Sequence, residues 1–549
     1  MNRTPQEIAA CIDIALHRRP ADSVIKDVRI FDLATGELRQ ADIALCGERI
    51  AAVGVGYEGL TQIDGKGLTA VPGFVDAHCH IESSLVTPYE FERCVLPHGT
   101  TAAVCDPHEL ANVSGGDAIE FFLQSARRML MRLSVHVPSC VPALPTEEAG
   151  AVLDCAALRP YSGTAGLSEF MNVPGVLEKN ADVLAKLSLF SYRPIDGHAP
   201  LVSGNALTAL CAAGIANDHE SSSPEEALEK IRNGMTVFLR AGSVGRNLPA
   251  LTSLLSLTLS GRVCLCTDDR DPLDIRNEGH IDAAIRTALH AGCDPLAVYR
   301  AASLTPARHY GWEFRGLIAP GWFADIVLLS NLSECTVERV ICRGKIVDEA
   351  CFDARLPEPS FAPFRNSLRC GHLEERDLHA PDRPERVIGV QDGCLITQDL
   401  PYDRSMKDLA TVCLIARHGK SSRIGRALVQ GFGMTGGAIA SSVGHDSHNL
   451  CVVGTNETDS AVAANALIDC GGGFAVALNG ALLATLPLPL GGLFSNQRHE
   501  AVADGLEALR VHVRRTGTTL TNPLIALSFL PLPVIPFARI TLSGLVSLK

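Results

Sequence analysis

The sequence has no C-x-x-C pair, although nineteen cysteines are scattered through its 549 residues. Without paired spacings there is no disulfide framework to read, so the thiols are expected to be buried and reduced, as in a cytosolic protein. No long run of lysine or arginine occurs and the net charge is −13, which argues against a polyanionic partner such as nucleic acid. The opening stretch MNRTPQEIAACIDIALHRRP lacks the apolar core of a signal peptide. The most apolar late stretch, 474–494, is broken by Asn479, Gly480, Pro487 and Pro489, too often for a membrane span. No repeat recurs at a solenoid period. Gly471, Gly472 and Gly473 precede no G-K-[S/T], so they read as a tight turn rather than a phosphate loop. These absences leave a cytoplasmic globular protein that engages neither nucleic acid nor membrane. A 46% hydrophobic, 20% charged composition gives it ample material for a core.

What is present changes character along the chain. Residues 1–20 read as a short amphipathic helix. Alternating apolar residues and intervening turns in VIKDVRIFDL, ADIALCGERIAAVG and LTAVPG predict antiparallel strands of a small β unit. From Val71 to Gly311, short apolar runs alternate with helical segments such as ALEKIRNG and IDAAIRTALHAG. The runs are VPGFVDAH, TTAAVCDP, LSVHVPS, GTAGLSEF, PIDGHAP, GIANDHES, TVFLRAG and RVCLCTDD. Eight of them predict an α/β architecture, a parallel sheet closed as a (β/α)8 TIM-like barrel. After Tyr310, GLIAPGWFADIVLLS and VERVICRGKIVD return to strands and complete a small β-sandwich domain built from both flanks of the barrel. The expected division is 1–70 for the N-terminal helix and the first part of the β domain, 71–311 for the barrel and 312–355 for the second part of the β domain. A Pro- and charge-rich linker at 356–386 and an extra C-terminal α/β domain at 387–549 complete it.

The apolar runs end in His, Asp or Glu, and in such a barrel the C-terminal strand ends form the catalytic mouth. His78 and His80 share one face of an extended strand, so both imidazoles can reach one metal ion. Glu169, His198, His219 and Asp268 close four further runs. Any one of these could be chance; the ordered set, gathered at one rim, is not easily so. Imidazole and carboxylate without thiolate suit Zn, Fe or Mn. Two ions ~3.5–4 Å apart need a bridging carboxylate flanked by imidazoles, and Glu169 is the natural bridge. Such a centre brings the pKa of water down toward neutrality. Asp268 could bind one ion weakly, accept a proton and pass it to a leaving nitrogen. The catalytic candidates are Asp268, Glu82 and His219.

Neighbouring positions have two readings each. Glu82 either hydrogen-bonds the substrate and shuttles a proton, or orients His80. Ser83 and Ser84 read as caps of the next helix, with Ser83 also a substrate-binding candidate. Asp106 and His108 face the substrate or the metal rim, or else form a turn with a packed histidine. Asp269 cannot share a face with Asp268 in an extended strand, so Asp268 is taken as the ligand and Asp269 as a substrate contact or loop tie. His280 either reaches the site from the last loop or is exposed at a helix start. His445-Asp446-Ser447-His448 reads as a structural polar loop, or as a cover over the barrel mouth of its own or a neighbouring subunit.

The stretches VPGFVDAHCHIESS (71–84), LPHGTTAAVCDPHELANV (96–113), SCVPALP (139–145), CTDDR (266–270) and EGHID (278–282) resemble the adenine deaminase branch of the amidohydrolase superfamily. The resemblance continues through TPARHYG and GLIAPGWFADIVLLS to SSVGHDSHNL (441–450) and LPLPLGGL (486–493), nearly the whole chain. It implies hydrolysis of adenine to hypoxanthine and ammonia in purine salvage, a binuclear Mn or Fe centre whose donors would also accept Zn, adenine as the small-molecule partner, and a homo-oligomer, a dimer. His78, His80, Glu169, His198, His219 and Asp268 match the branch's metal positions. Glu169 stands where many amidohydrolases place a carboxylated lysine; glutamate bridges without that modification and is the familiar residue in this branch. Gly444 departs from the serine that usually precedes HDSHN. Three other readings compete. One is an amidohydrolase acting on a different amino-heterocycle or a cyclic amide. A second is the zinc deaminase architecture, whose H-x-E is met by His80-Ile81-Glu82 but whose P-C-x-x-C is missing. A non-catalytic barrel scaffold is the third, and it would not be expected to keep six ligand-type residues.

Overall fold

In the computed structural model, residues 3–394, 396–533 and 537–547 are described. Thr4 opens the first helix, Pro5–Ala15: its hydroxyl accepts the Glu7 N–H while the Glu7 carboxylate accepts the Thr4 N–H, a reciprocal cap that fixes where the helix starts. The strands that follow, Ala21–Phe31, Leu38–Cys46, Arg49–Gly54, Gly59–Asp64 and Thr69–Pro72, meet Ile326–Asn331, Thr336–Cys342 and Lys345–Ile346 in one eight-stranded sheet. The seam is antiparallel, with Ile326 opposite Pro72 and Leu329 opposite Thr69. Ile25, Ile43 and Ile63 from the first flank share a core with Ile326, Leu328 and Ile341 from the second. The small domain is thus stitched together from both sides of the barrel.

Eight strands make the barrel: β1 (Phe74–Cys79), β2 (Thr100–Cys105), β3 (Arg132–Val137), β4 (Gly166–Phe170), β5 (Ile195–Gly197), β6 (Asn217–Asp218), β7 (Thr236–Arg240) and β8 (Val263–Cys266). They pair in parallel from β1 to β5 and from β6 to β8. The Ala216 N–H donates to the Ile195 carbonyl, joining β5 to β6. A parallel bridge between Cys79 and Asp268 joins β1 to the end of β8 and closes the ring. Gly73, between the small sheet and β1, lies against Thr101. A Cβ there would sit 2.2 Å from the threonine hydroxyl, so the chain can pass only as glycine.

The C-terminal strands form a second eight-stranded sheet, in the order 398–401, 386–389, 424–430, 409–415, 450–454, 438–441, 473–478, 481–487. Helices Glu457–Cys470, His499–Arg514 and Pro523–Phe529 accompany it. Gly471, Gly472 and Gly473 all have positive φ where the chain turns from the first of these helices into strand Gly473–Leu478, so the glycine run is a turn. This unit is not free-standing: Leu110, Phe121 and Phe122 of the barrel lie in one core with Phe364, Leu490 and Phe494. The Pro-rich stretch before it is irregular yet packed, with Phe364 buried against Phe121 at 5.0 Å between ring centroids. All nineteen cysteines are unpaired thiols. Among the described residues, no helix is long and apolar enough to cross a membrane.

Candidate metal and catalytic site

The C-terminal ends of the barrel strands carry the chemistry, and the local backbone explains how. His78 is the last residue but one of β1 and His80 follows its end, so their rings lie on one side, 4.8 Å apart. Asp268 leaves β8 with φ +60, a left-handed turn that aspartate tolerates better than most residues. Its N–H donates to the His78 carbonyl and its own carbonyl accepts the His80 N–H. That turn brings one carboxylate oxygen, Oδ1, to 3.2 Å from both His78 Nε2 and His80 Nε2. Arg240, at the end of β7, holds the other oxygen at 2.9 Å.

Glu169, at the end of β4, is surrounded by imidazoles. Its Oε1 lies 3.3 Å from His80 Nε2 and 3.1 Å from His108 Nδ1; its Oε2 lies 3.0 Å from His198 Nδ1 and 3.2 Å from His219 Nε2. Burial by itself would raise this carboxyl, but the charge on His80 and hydrogen bonds from His108, His198 and His219 pull it well below the usual carboxylate range. Burial would likewise raise Asp268, and Arg240 with His78 and His80 holds it well below. His78 is pushed the other way, lowered by burial and by the neighbouring His219. Against the pull of burial, the nearby carboxylates in turn push His80, His198 and His219 up, so bound cations would take the place of the protons on these imidazoles.

These residues fit a metal centre on several counts. Donor atoms sharing one ion through bonds of about 2.1 Å lie roughly 3–3.5 Å from each other, the spacing found here. His78 Nε2 is fully buried and, though close to Asp268, is off the hydrogen-bond direction and left without a partner. Four overlapping donor groups form: His80, Asp106, His108 and Glu169; His78, His80 and Asp268; His78, Glu169 and His219; and His198, His219 and Glu220. A cavity of about 270 Å³ opens over the cluster, lined among others by His80, Glu169, His198, His219 and Asp268.

Comparison with known proteins follows the same division of the chain. Residues 69–347 match the amidohydrolase family, and residues 385–549 match the adenine deaminase C-terminal domain. The chain is 50% identical to an adenine deaminase of Methylobacterium nodulans over 99% of its own length and 98% of that protein, and 49% identical to one of Gluconobacter oxydans over 96% of each. The chain belongs to the adenine deaminase family. Among solved structures, N-acetyl-D-glucosamine-6-phosphate deacetylase from Mycobacterium smegmatis is 19% identical, matching 59% of this chain and 100% of that one with a TM-score of 0.46. The amidohydrolases are metal-dependent, and the buried cluster suits a metal ion.

Within this adenine deaminase-family chain, all six strand-end positions, 78, 80, 169, 198, 219 and 268, meet in one cluster; five of them line the cavity and His78 lies buried beneath it. His108 joins them, with Asp106 behind it at 3.0 Å. Asp268 and Asp269 both line the cavity, because the left-handed turn at Asp268 ends strand alternation there; Asp268 turns to the imidazoles, and Asp269 accepts the Ser83 hydroxyl at 2.5 Å. Glu82 stands behind the cavity wall. Its Oε1 accepts the Leu110 N–H at 3.1 Å, and burial pushes its carboxyl up to about 7. Ser83 and Ser84 do not cap the next helix as expected. Ser84 donates to the Ile81 carbonyl inside a short 3-10 turn, and the helix Pro88–Val95 begins after Thr87, which makes no side-chain cap either. His280 is neither at the cavity nor exposed: it is fully buried, 2.8 Å from the Thr100 hydroxyl and edge-on to Phe91. The loop 445–448 is more than structural, since His445 and Asp446 line the cavity of their own chain.

Three residues escaped the sequence reading. Glu220 sits 3.4 Å from His219 Nε2 and pairs with Arg240 at 3.1 Å. Arg240 thereby bridges Glu220 and Asp268. Glu109, inside Asp-Pro-His-Glu, is held by His445 and His448 of the C-terminal unit. Only Glu109 carried a signal, its place in that tetrapeptide.

Proposed function

We propose that the protein hydrolyses adenine to hypoxanthine and ammonia, in purine salvage. The observation that carries this, beside the family, is Glu169: one buried carboxylate with two imidazoles at each oxygen. His78, His80, Glu169, His198, His219 and Asp268 would hold two divalent ions, Mn or Fe, with Zn compatible with the same donors. When bound, such ions supply Lewis acidity that makes water a nucleophile near neutral pH. Asp268 accepts the proton that water releases and delivers it to the departing amino nitrogen. Arg240 fixes one oxygen of Asp268, so that the other stays over His78 and His80. Asp106 accepts from both the backbone N–H and the ring of His108, setting that imidazole against Glu169. Glu82 acts from behind the wall by holding the turn after His80 to Leu110. Net charge and the absence of paired cysteines support a cytoplasmic protein that binds neither nucleic acid nor membrane, and the assembly is a homodimer, which light scattering checks.

The test is a screen of purine and pyrimidine amines against Mn-loaded and Fe-loaded protein, followed by absorbance and ammonia release. Adenine should be the preferred substrate. Metal-loaded protein that leaves adenine unchanged while deaminating another heterocycle would overturn the assignment.

A further inference from the structure

The C-terminal unit reaches the reaction cavity through one rigid loop. The His445 N–H donates to the Ser528 carbonyl at 3.0 Å, and the His448 N–H to the Gly444 carbonyl at 2.7 Å. His448 Nδ1 accepts the Gly444 N–H at 3.1 Å, which leaves its Nε2–H to donate to Glu109. His445 Nδ1 meets the other oxygen of Glu109, and its ring stacks on Phe529 with centroids 4.3 Å apart. His418 Nε2–H donates to the Ser447 carbonyl at 2.7 Å. Every residue around Asp446 is therefore tied down, three of the ties running to Glu109 or to Phe529.

Asp446 itself is not tied. It is only 3% exposed and lines the cavity. Its Oδ1 has only a long ion pair to His108, and Oδ2 is fully buried without a partner among the described residues. The nearest cationic candidate, His108 Nε2, is 3.8 Å from Oδ1, too far for a hydrogen bond. A buried carboxylate accepts hydrogen bonds and cannot give one, and it is costly to leave bare. A rigid, unpartnered acceptor in the wall of a substrate cavity calls for a donor on the substrate.

We propose that Asp446 accepts a ring N–H of the base and so restricts this site to free purine bases, excluding their nucleosides. The inference rests on the adenine reading given above. A free purine carries one proton on its imidazole ring, at either N7 or N9. A nucleoside is substituted at N9 and has a bare nitrogen at N7, so that ring offers the carboxylate a lone pair instead of a proton. Sites built to receive a substrate N–H discriminate strongly against analogues that lack it. The barrel would thus carry the reaction, and the C-terminal unit the choice between base and nucleoside.

The experiment compares adenine with 9-methyladenine as substrates of Mn-loaded wild-type and Asp446→Asn protein, and measures hypoxanthine binding and metal content for both. The wild type should strongly prefer adenine. In Asp446→Asn, kcat/KM for adenine should fall roughly 10- to 100-fold and hypoxanthine affinity by a similar factor, with metal content unchanged. The gap to 9-methyladenine should narrow, because the amide can donate to a bare nitrogen. A variant that keeps adenine kcat/KM and hypoxanthine affinity within about twofold of wild type would overturn the proposal. So would a wild type that turns over 9-methyladenine as well as adenine, a result that does not depend on the variant folding. If the wild type released no ammonia from adenine, the functional assignment would fall instead, and hypoxanthine binding would still decide the role of Asp446.

Discussion

At Glu169, each carboxylate oxygen faces two imidazoles, so replacing one oxygen by an amide nitrogen sets N–H groups against donors that need an anion. Glu169→Gln should therefore lose metal, measured by elemental analysis, and lose more than about a hundredfold in kcat/KM. Asp268→Asn is a different change. Arg240 keeps Glu220 as a partner, so the wall should stand and most metal should stay, while kcat falls roughly 10²–10⁴-fold through loss of the proton carrier. Metal loss equal to that in Glu169→Gln would show that Asp268 acts mainly as a ligand. The six strand-end positions were legible because a parallel barrel turns every strand end toward one mouth. Glu220 was not, for a local reason: β6 is only two residues long, so strict alternation ends before His219 and adjacent side chains can face the same cavity. Arg240 was missed because a cation does not look like a metal ligand; its work is to hold carboxylates. His280 looked like a loop residue, yet it is buried against β1 and β2, with Nδ1 2.8 Å from the Thr100 hydroxyl and Nε2 3.3 Å from Asp76 but without a hydrogen bond, a placement that sequence alone cannot give.

Secondary-structure elements differ in how much they disclosed. The barrel strands announced themselves as apolar runs, and the helix Ile281–His290 as an amphipathic segment. Parts of the C-terminal sheet did not: Gln398–Pro401 is a short, partly exposed strand with a single leucine, and Ala481–Pro487 is apolar but mostly outside the core, so neither shows the alternation of a half-buried strand. The loop 445–448 was ambiguous because its partners, Glu109 and Phe529, lie far away in sequence. One of its supports makes a pH prediction. His418 is buried beside Arg417, and burial followed by that charge lowers its pKa to about 3. The unfolded chain takes up this proton near pH ~6.5, but the fold refuses it. The associated stability is complete above pH ~6.5 and is lost as pH falls toward 3, at up to about 1.4 kcal/mol per pH unit. His418→Gln should flatten this part of the pH dependence. Melting temperatures of variant and wild type between pH 7 and pH 5 would measure it, and parallel curves would refute it.

Over the whole molecule, the barrel and the C-terminal unit share one apolar core. A chain ended near residue 386 would uncover Leu110 and Phe122, which lie against Gly491 and Phe494, and should aggregate instead of yielding a free-standing barrel, as size-exclusion chromatography would show. Metal removal should also be felt globally. Chelation should lower the melting temperature, and ions returned at about 1,000 times their Kd should restore roughly 4 kcal/mol. An unchanged melting temperature would mean that the cluster is held together by hydrogen bonds alone. The small sheet has a consequence for biosynthesis. Strand Thr69–Pro72 pairs with a strand beginning at Ile326, which leaves the ribosome roughly 250 residues later, after about 10–50 s of translation at ~5–20 residues per second. Throughout that interval the nascent chain presents an unpaired edge, and any such edge invites mispairing with other chains. Completion of the N-terminal domain must therefore wait until the barrel has been synthesised, however early its own first half emerges.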